Sequence, residues 1–171
     1  MYMYRDLPPI GEAAGPLMPA GNQLPENHPP IDAAGKTTAL EQMSRSNPQD
    51  AQLKVQLGNA YYDSGQYQQA AEAYEQSLQI HPKDPGVETD LATCYHFMGQ
   101  YDKALGILDN VLAYSPGFAQ ALFNKGLVLQ AGKRDTKGAI AIWESLLRTN
   151  PNFPRRAELE QKISELTKTL K

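Results

Sequence analysis

Asn59-Ala60-Tyr61-Tyr62-Asp63-Ser64-Gly65-Gln66-Tyr67-Gln68-Gln69-Ala70 returns 34 residues later as Thr93-Cys94-Tyr95-His96-Phe97-Met98-Gly99-Gln100-Tyr101-Asp102-Lys103-Ala104. Tyr61 recurs as Tyr95, Gly65 as Gly99, Tyr67 as Tyr101 and Ala70 as Ala104, and Pro48, Pro82 and Pro116 keep the same interval. On the N-terminal side of the glycine, Leu53, Leu57, Ala60 and Tyr61 fall at i, i+4, i+7 and i+8, one apolar face of a helix. On its C-terminal side, Tyr67, Ala70, Ala71, Tyr74 and Leu78 make a second stripe that Pro82 ends. A fixed period with two helical stripes in each unit predicts a stack of helix pairs, whose product is an extended groove and not an enclosed catalytic pocket.

The units run 51–84, 85–118 and 119–153. The second repeats the pattern with Val87, Leu91, Tyr95 and Met98, then Tyr101, Ala104, Leu105, Leu108 and Leu112, and starts at Asp84-Pro85 as N-cap and first-turn proline. The third carries Leu122, Gly126 and Leu129, then Ala139, Ile140, Trp143, Leu146 and Leu147. It holds one extra residue, placed in the turn Gly132-Lys133-Arg134-Asp135-Thr136. Residues 36–47 predict a short capping helix with Leu40 and Met43 on one side, standing where the last half of a preceding unit would be. Residues 154–171 predict a C-terminal capping helix with Leu159, Ile163, Leu166 and Leu170 on its apolar face. Residues 1–35, with Pro8, Pro9, Pro16, Pro19, Pro25, Pro29 and Pro30, have almost no periodic apolar residue. They predict an extended or disordered tail, or a Pro-rich ligand for a groove of this chain or of a neighbour.

These marks resemble the tetratricopeptide repeat family. The resemblance rests on small residues at repeat position 8 (Gly58, Ala92, Gly126), alanine at position 20 (Ala70, Ala104, Ala139), a large residue at position 24 (Tyr74, Leu108, Trp143) and proline at position 32, in phase over residues 48–153. It implies an all-α, right-handed superhelix of three helix-turn-helix repeats, with an N-terminal half-repeat helix and a C-terminal cap. Lys54 and Glu88 depart from the large residue usual at position 4, which Leu122 keeps. The family's groove positions, carried over, are Gln52, Val55, Gln56, Asn59, Tyr62 and Asp63, then Gly86, Thr89, Asp90, Thr93, His96 and Phe97, then Gln120, Phe123, Asn124, Leu127, Gln130 and Ala131. The resemblance thus implies a peptide groove. In it the amides are expected to pair with an extended backbone, while Tyr62, Phe97 and Phe123 offer apolar area. The family's clamp for acidic chaperone tails needs cations where this chain has Val55, Asp90, Gln120 and Asn124, and only Asn59 matches.

Charge divides along the chain, with net −3 over residues 1–50, −5 over 51–118 and +5 over 119–171. The acidic total disfavours nucleic acid, and head-to-tail self-assembly of acidic middle on basic end is a further reading. No apolar stretch is long enough to span a bilayer, the N-terminus lacks a signal-peptide pattern and Cys94 is the lone cysteine, which together point to the cytoplasm. Ala139–Leu147 also resembles helices of bacterial repeat proteins that hold apocytochrome c, a periplasmic alternative.

Chemistry finds little support. Gly35-Lys36-Thr37-Thr38 lacks the glycine of a phosphate loop at Pro30, and Cys94 and His96, two apart on a helix, point to different sides. His28, His81 and His96 lack metal spacing, and Asp63 and Asp90 in an open groove are expected to keep ordinary pKa values. The reading is therefore a non-enzymatic binding scaffold with no cofactor and no metal.

Overall fold

The computed structural model describes residues 33–170, which form eight α-helices and no strand. They are α1 (Ala33–Ser46), α2 (Ala51–Asp63), α3 (Tyr67–Ile80), α4 (Pro85–Phe97), α5 (Tyr101–Tyr114), α6 (Ala119–Leu127), α7 (Thr136–Thr149) and α8 (Arg156–Thr169), with a π-helical turn, Val128–Gly132, prolonging α6. Three helix pairs, α2/α3, α4/α5 and α6/α7, are flanked by one helix at each end. The Pro-rich segment read over residues 1–35 lies outside the described residues except for its last three, which belong to α1.

Local chemistry sets the ends of these helices. Asp50 caps α2 by accepting from the Leu53 amide at 3.0 Å, Asp84 caps α4 through Gly86 and Val87, and Asp135 caps α7 through Gly138. Gly65 and Gly99 stop α2 and α4 in the left-handed region, at φ 72° and 73°, where a side chain is strained. The third pair has no glycine at that point, and Arg134 takes the conformation instead, at φ 55°.

Helix pairs close on the small positions. A Cβ on Gly58 would stand 2.5 Å from Cε1 of Tyr74, and one on Gly126 would overlap the Trp143 indole. Ala92 faces the same space as fully buried Leu108. Only hydrogen or methyl lets Tyr74, Leu108 and Trp143 fill the gap between paired helices. Trp143 also donates from Nε1 to the Phe123 carbonyl at 3.1 Å, which fixes the indole across α6. Ala139, Ile140, Trp143, Leu146 and Leu147, within the stretch that resembles apocytochrome-binding helices, are all buried.

Pairs are joined by a recurring polar contact. Tyr61 donates to Glu41 of α1 at 2.7 Å, and 34 residues on Tyr95 donates to Glu75 of α3. The recurrence puts α1 in the place against α2 that α3 takes against α4. Its buried face is Thr37, Leu40 and Ser44, and Met43 points outward at 50% exposure, contrary to the expected Leu40–Met43 side. The helix also starts at Ala33, before the expected Lys36.

At the other end, α8 buries Leu159 fully and Ile163 and Leu166 in part, while Leu170 is exposed, so the cap's apolar face is shorter than the sequence pattern. The extra residue of the third unit is absorbed in the π turn and not in the loop after it, which brings Gly132 so close to Tyr101 that no Cβ fits between them.

Candidate functional site

The first helices of successive pairs meet on one side of the stack, where α4 packs directly on α6. The expected groove residues lie on these helices, but they differ sharply in availability. Gln52 and Asp63 are exposed, and Val55, Gln56, Asn59, His96, Phe97, Gln120 and Leu127 are half-buried. Tyr62, Thr89, Asp90, Thr93, Phe123 and Asn124 are buried.

Most of the polar groups expected to face a peptide are engaged within the protein. Asn59 accepts from the Tyr74 hydroxyl at 2.7 Å. Gln120 Nε2 donates to Asp90 Oδ1 at 2.9 Å, and one turn further along both helices Asn124 Nδ2 donates to Thr93 Oγ1 at 2.9 Å. Thr93 in turn donates to the Thr89 carbonyl, and Thr89 to that of Pro85. These contacts form two rungs that tie α4 to α6, and they correct the expectation that the amides of Asn59 and Asn124 are wholly free for a ligand.

Phe123 is a second correction. At 2% exposure it lies 5.9 Å from the ring of Phe153, with the Arg155 guanidinium 5.6 Å above it, so the connection between α7 and α8 covers it. Arg155, itself buried, is held there by Glu158 at 3.0 Å. Neither Phe153 nor Arg155 shows a periodic signal in the sequence.

Among the described residues, a small recess of about 20 Å³ lies between α4, α5 and α6. Its walls are Ala92, Phe97, Leu108, Leu127 and Val128, and its polar edge is Thr93, His96 and Asn124. The π turn begins at Val128, so the insertion shapes one wall. Beside the cleft, Phe97 stacks on Tyr67 at 4.7 Å and meets the edge of Tyr62 at 6.2 Å, and His96 stands 5.6 Å from Tyr101. Burial holds the His96 imidazole below its ordinary pKa, which favours the neutral form, and its Nδ1 is buried without a partner, as is the Tyr62 hydroxyl.

Burial also pushes the Asp90 carboxyl up to about 8; the Gln120 hydrogen bond opposes this and the charge of Asp84 adds to it. Asp63, although exposed, is raised as well by partial desolvation from neighbouring chain, with the Lys36 charge opposing the shift. Neither acid keeps the ordinary value expected of it, and only Asp90 is withdrawn from solvent. Cys94 is fully buried and its thiol is raised to about 12, an inert packing residue. Among the described residues no group of three potential metal ligands lies together, and no helix is long and apolar enough to cross a membrane. Several C-terminal cations are matched internally, Lys125 by Asp109, Lys133 by Asp102 and Arg156 by Glu160.

Family models described as tetratricopeptide repeat match residues 61–122 and 120–152, together more than half of the chain. The chain belongs to the tetratricopeptide repeat family. Solved tetratricopeptide repeat structures agree in fold. MamA shares 18% identity at a TM-score of 0.66, over 80% of this chain and 88% of its own. The first such domain of Spaghetti (RPAP3), bound to the HSP90 peptide SRMEEVD, shares 20% at 0.63, over 71% and 96%. A tetratricopeptide repeat protein from Parabacteroides merdae shares 22% at 0.67, over 81% and 55%. No curated protein matches the sequence.

Proposed function

We propose that this chain is a non-enzymatic interaction scaffold that captures a peptide or protein segment along the concave side of α2, α4 and α6. The observation that carries the reading is the recess between α4 and α6, apolar in its walls and edged by Thr93, His96 and Asn124, on the same side of the stack as the accessible side chains of Gln52, Gln56 and Asp63. An apolar recess with a few convergent polar groups is the usual form of a recognition site. Support comes also from the RPAP3 domain of similar fold, which holds a peptide. The ligand of this chain differs from an acidic chain terminus. Val55, Asn59, Asp90, Gln120 and Asn124 supply no cation for a terminal carboxylate, and Asp90 adds an acid.

A photo-cross-linking residue placed at half-buried Gln56 on α2 or at exposed Gln76 on α3 tests the side that is used. Cross-links from position 56 and none from 76 are expected, and the reverse pattern refutes the reading. The mass of the product identifies the occupant: one chain assigns the groove to residues 1–32, two chains to a second copy, and any other mass to a separate partner.

A further inference from the structure

Helix α1 keeps the register of the second helices, since Ala33–Ser46 precedes Tyr67–Ile80 by the same 34 residues that separate Tyr67–Ile80 from Tyr101–Tyr114. At one position of that register Ser77, Val111 and Leu146 are all buried, and Ser77 donates to the Ala51 carbonyl of its own first helix at 3.0 Å. The equivalent on α1 is Met43, exposed at 50%, with exposed Ala39 one turn before it. No described helix stands against α1 as α2 stands against α3. The neighbouring helix shows the same opening: Gln120 of α6 reaches back to Asp90 on the preceding first helix, whereas its equivalent on α2, Gln52, is exposed. A side chain at a position that three complete pairs bury is thus left bare, and covering it removes apolar area from water.

We infer that residues 24–31 of this same chain, which lie outside the described residues, pack in extended form against the Ala39–Met43 side of α1 and close this end of the stack. The reading goes beyond capture on the concave face and does not rest on it. Two observations select an extended segment over a helix. The small helix-contact position is Ala70, Ala104 and Ala139 in the complete pairs, all with no exposed surface, but α1 carries exposed Lys36 there, and its bulk holds a partner helix away. A helix from a second copy meets the same obstacle. The segment Leu24-Pro25-Glu26-Asn27-His28-Pro29-Pro30-Ile31 holds three prolines, which withdraw amide donors from a helix and favour an extended run. Its length also fits. From Ala33 to Met43 the rise is about 15 Å at 1.5 Å per residue, while eight extended residues at about 3.1 Å each span about 25 Å. Leu24 therefore arrives beside Met43 with about 10 Å left for the chain to reverse, and Ile31 lies near the start of α1.

Peroxide oxidation of the full chain, followed by peptide mass spectrometry, reports the cover. Met43 should oxidise about fivefold faster in Leu24→Asp than in the parent, because attack on a thioether follows its exposure. Leu17→Asp, upstream of the segment, should keep the parent rate, and half-buried Met98 should oxidise equally in all three chains. In the methyl-labelled protein a nuclear Overhauser contact between the Met43 ε-methyl and Leu24 is expected within one molecule. Equal Met43 rates in parent and Leu24→Asp, a Leu17→Asp chain as fast as Leu24→Asp, or a contact seen only between differently labelled molecules would each overturn the inference, the last by assigning the face to a second copy. The readout stands on α1, so its failure leaves the cross-linking test of the concave face untouched, and cross-links from position 76 would remove the concave reading without touching this one.

Discussion

Replacing Gly126 with alanine adds one methyl group at the tightest contact between paired helices. In a helix interior that exchange would gain about 1 kcal/mol from propensity alone. Here the new Cβ would lie inside the contact distance of the Trp143 indole, which is fully buried and held by its bond to the Phe123 carbonyl, and so cannot withdraw. Overpacking of this kind costs about 1–3 kcal/mol, and more where the neighbour is rigid, so a net loss of about 1–2 kcal/mol is expected. For a chain of this size that lowers Tm by roughly 2–8 °C. Gly106 on α5 is the matched control, since nothing lies within 4 Å of an added Cβ there. Gly106→Ala should gain about 1 kcal/mol and raise Tm by about 2–4 °C. Urea and thermal unfolding followed by circular dichroism measure both. A Gly126→Ala protein as stable as Gly106→Ala would refute the claim that position 8 sets the helix spacing.

Asp90→Asn removes a buried ionisable group while keeping an acceptor for Gln120. Because the folded carboxyl titrates near 8 and the unfolded one near 3.8, the folded state binds more protons between those values, so wild-type stability falls as pH rises from about 4 to about 8. The variant lacks this slope, and its advantage should widen by at most about 1.4 kcal/mol per pH unit, read from urea midpoints at pH 5 and pH 8. Asn59→Ala leaves the fully buried Tyr74 hydroxyl without its acceptor and should cost about 1–3 kcal/mol by the same unfolding assay. Arg134→Gly relieves a left-handed residue where the first two pairs use glycine, and a gain of about 0.5–1 kcal/mol is expected. No gain there would mean that Arg134 makes a compensating contact.

The helix pairs were legible because burial imposes a period on apolar residues, and Leu53, Leu57, Leu91, Leu108 and Trp143 all keep it. The candidate site was less so. An asparagine on the inner face of a helix has the same sequence signal whether it meets a ligand or, like Asn124, a threonine across the groove. Phe123 reads as open until the path of the α7–α8 connection places Phe153 and Arg155 over it, a contact set by geometry thirty residues away. The face of α1 misled for a different reason. Thr37 and Ser44 bury as polar residues and break the apolar pattern that suggested Met43. The inserted residue of the third unit was countable, but a π turn and a longer loop absorb an insertion equally well in sequence. Asp90 was readable as an acid in the groove, but the burial that is the main cause of its raised pKa follows from packing that the sequence does not spell out.

The most direct test of capture on the inner face is the map of backbone amide shifts in the isotope-labelled protein on binding a peptide selected against it from a random library. Perturbations clustered on residues 89–97 and 120–132, around the cleft of α4 and α6, are the predicted result. Shifts confined to α3, α5 and α7 on the outer face would contradict the account.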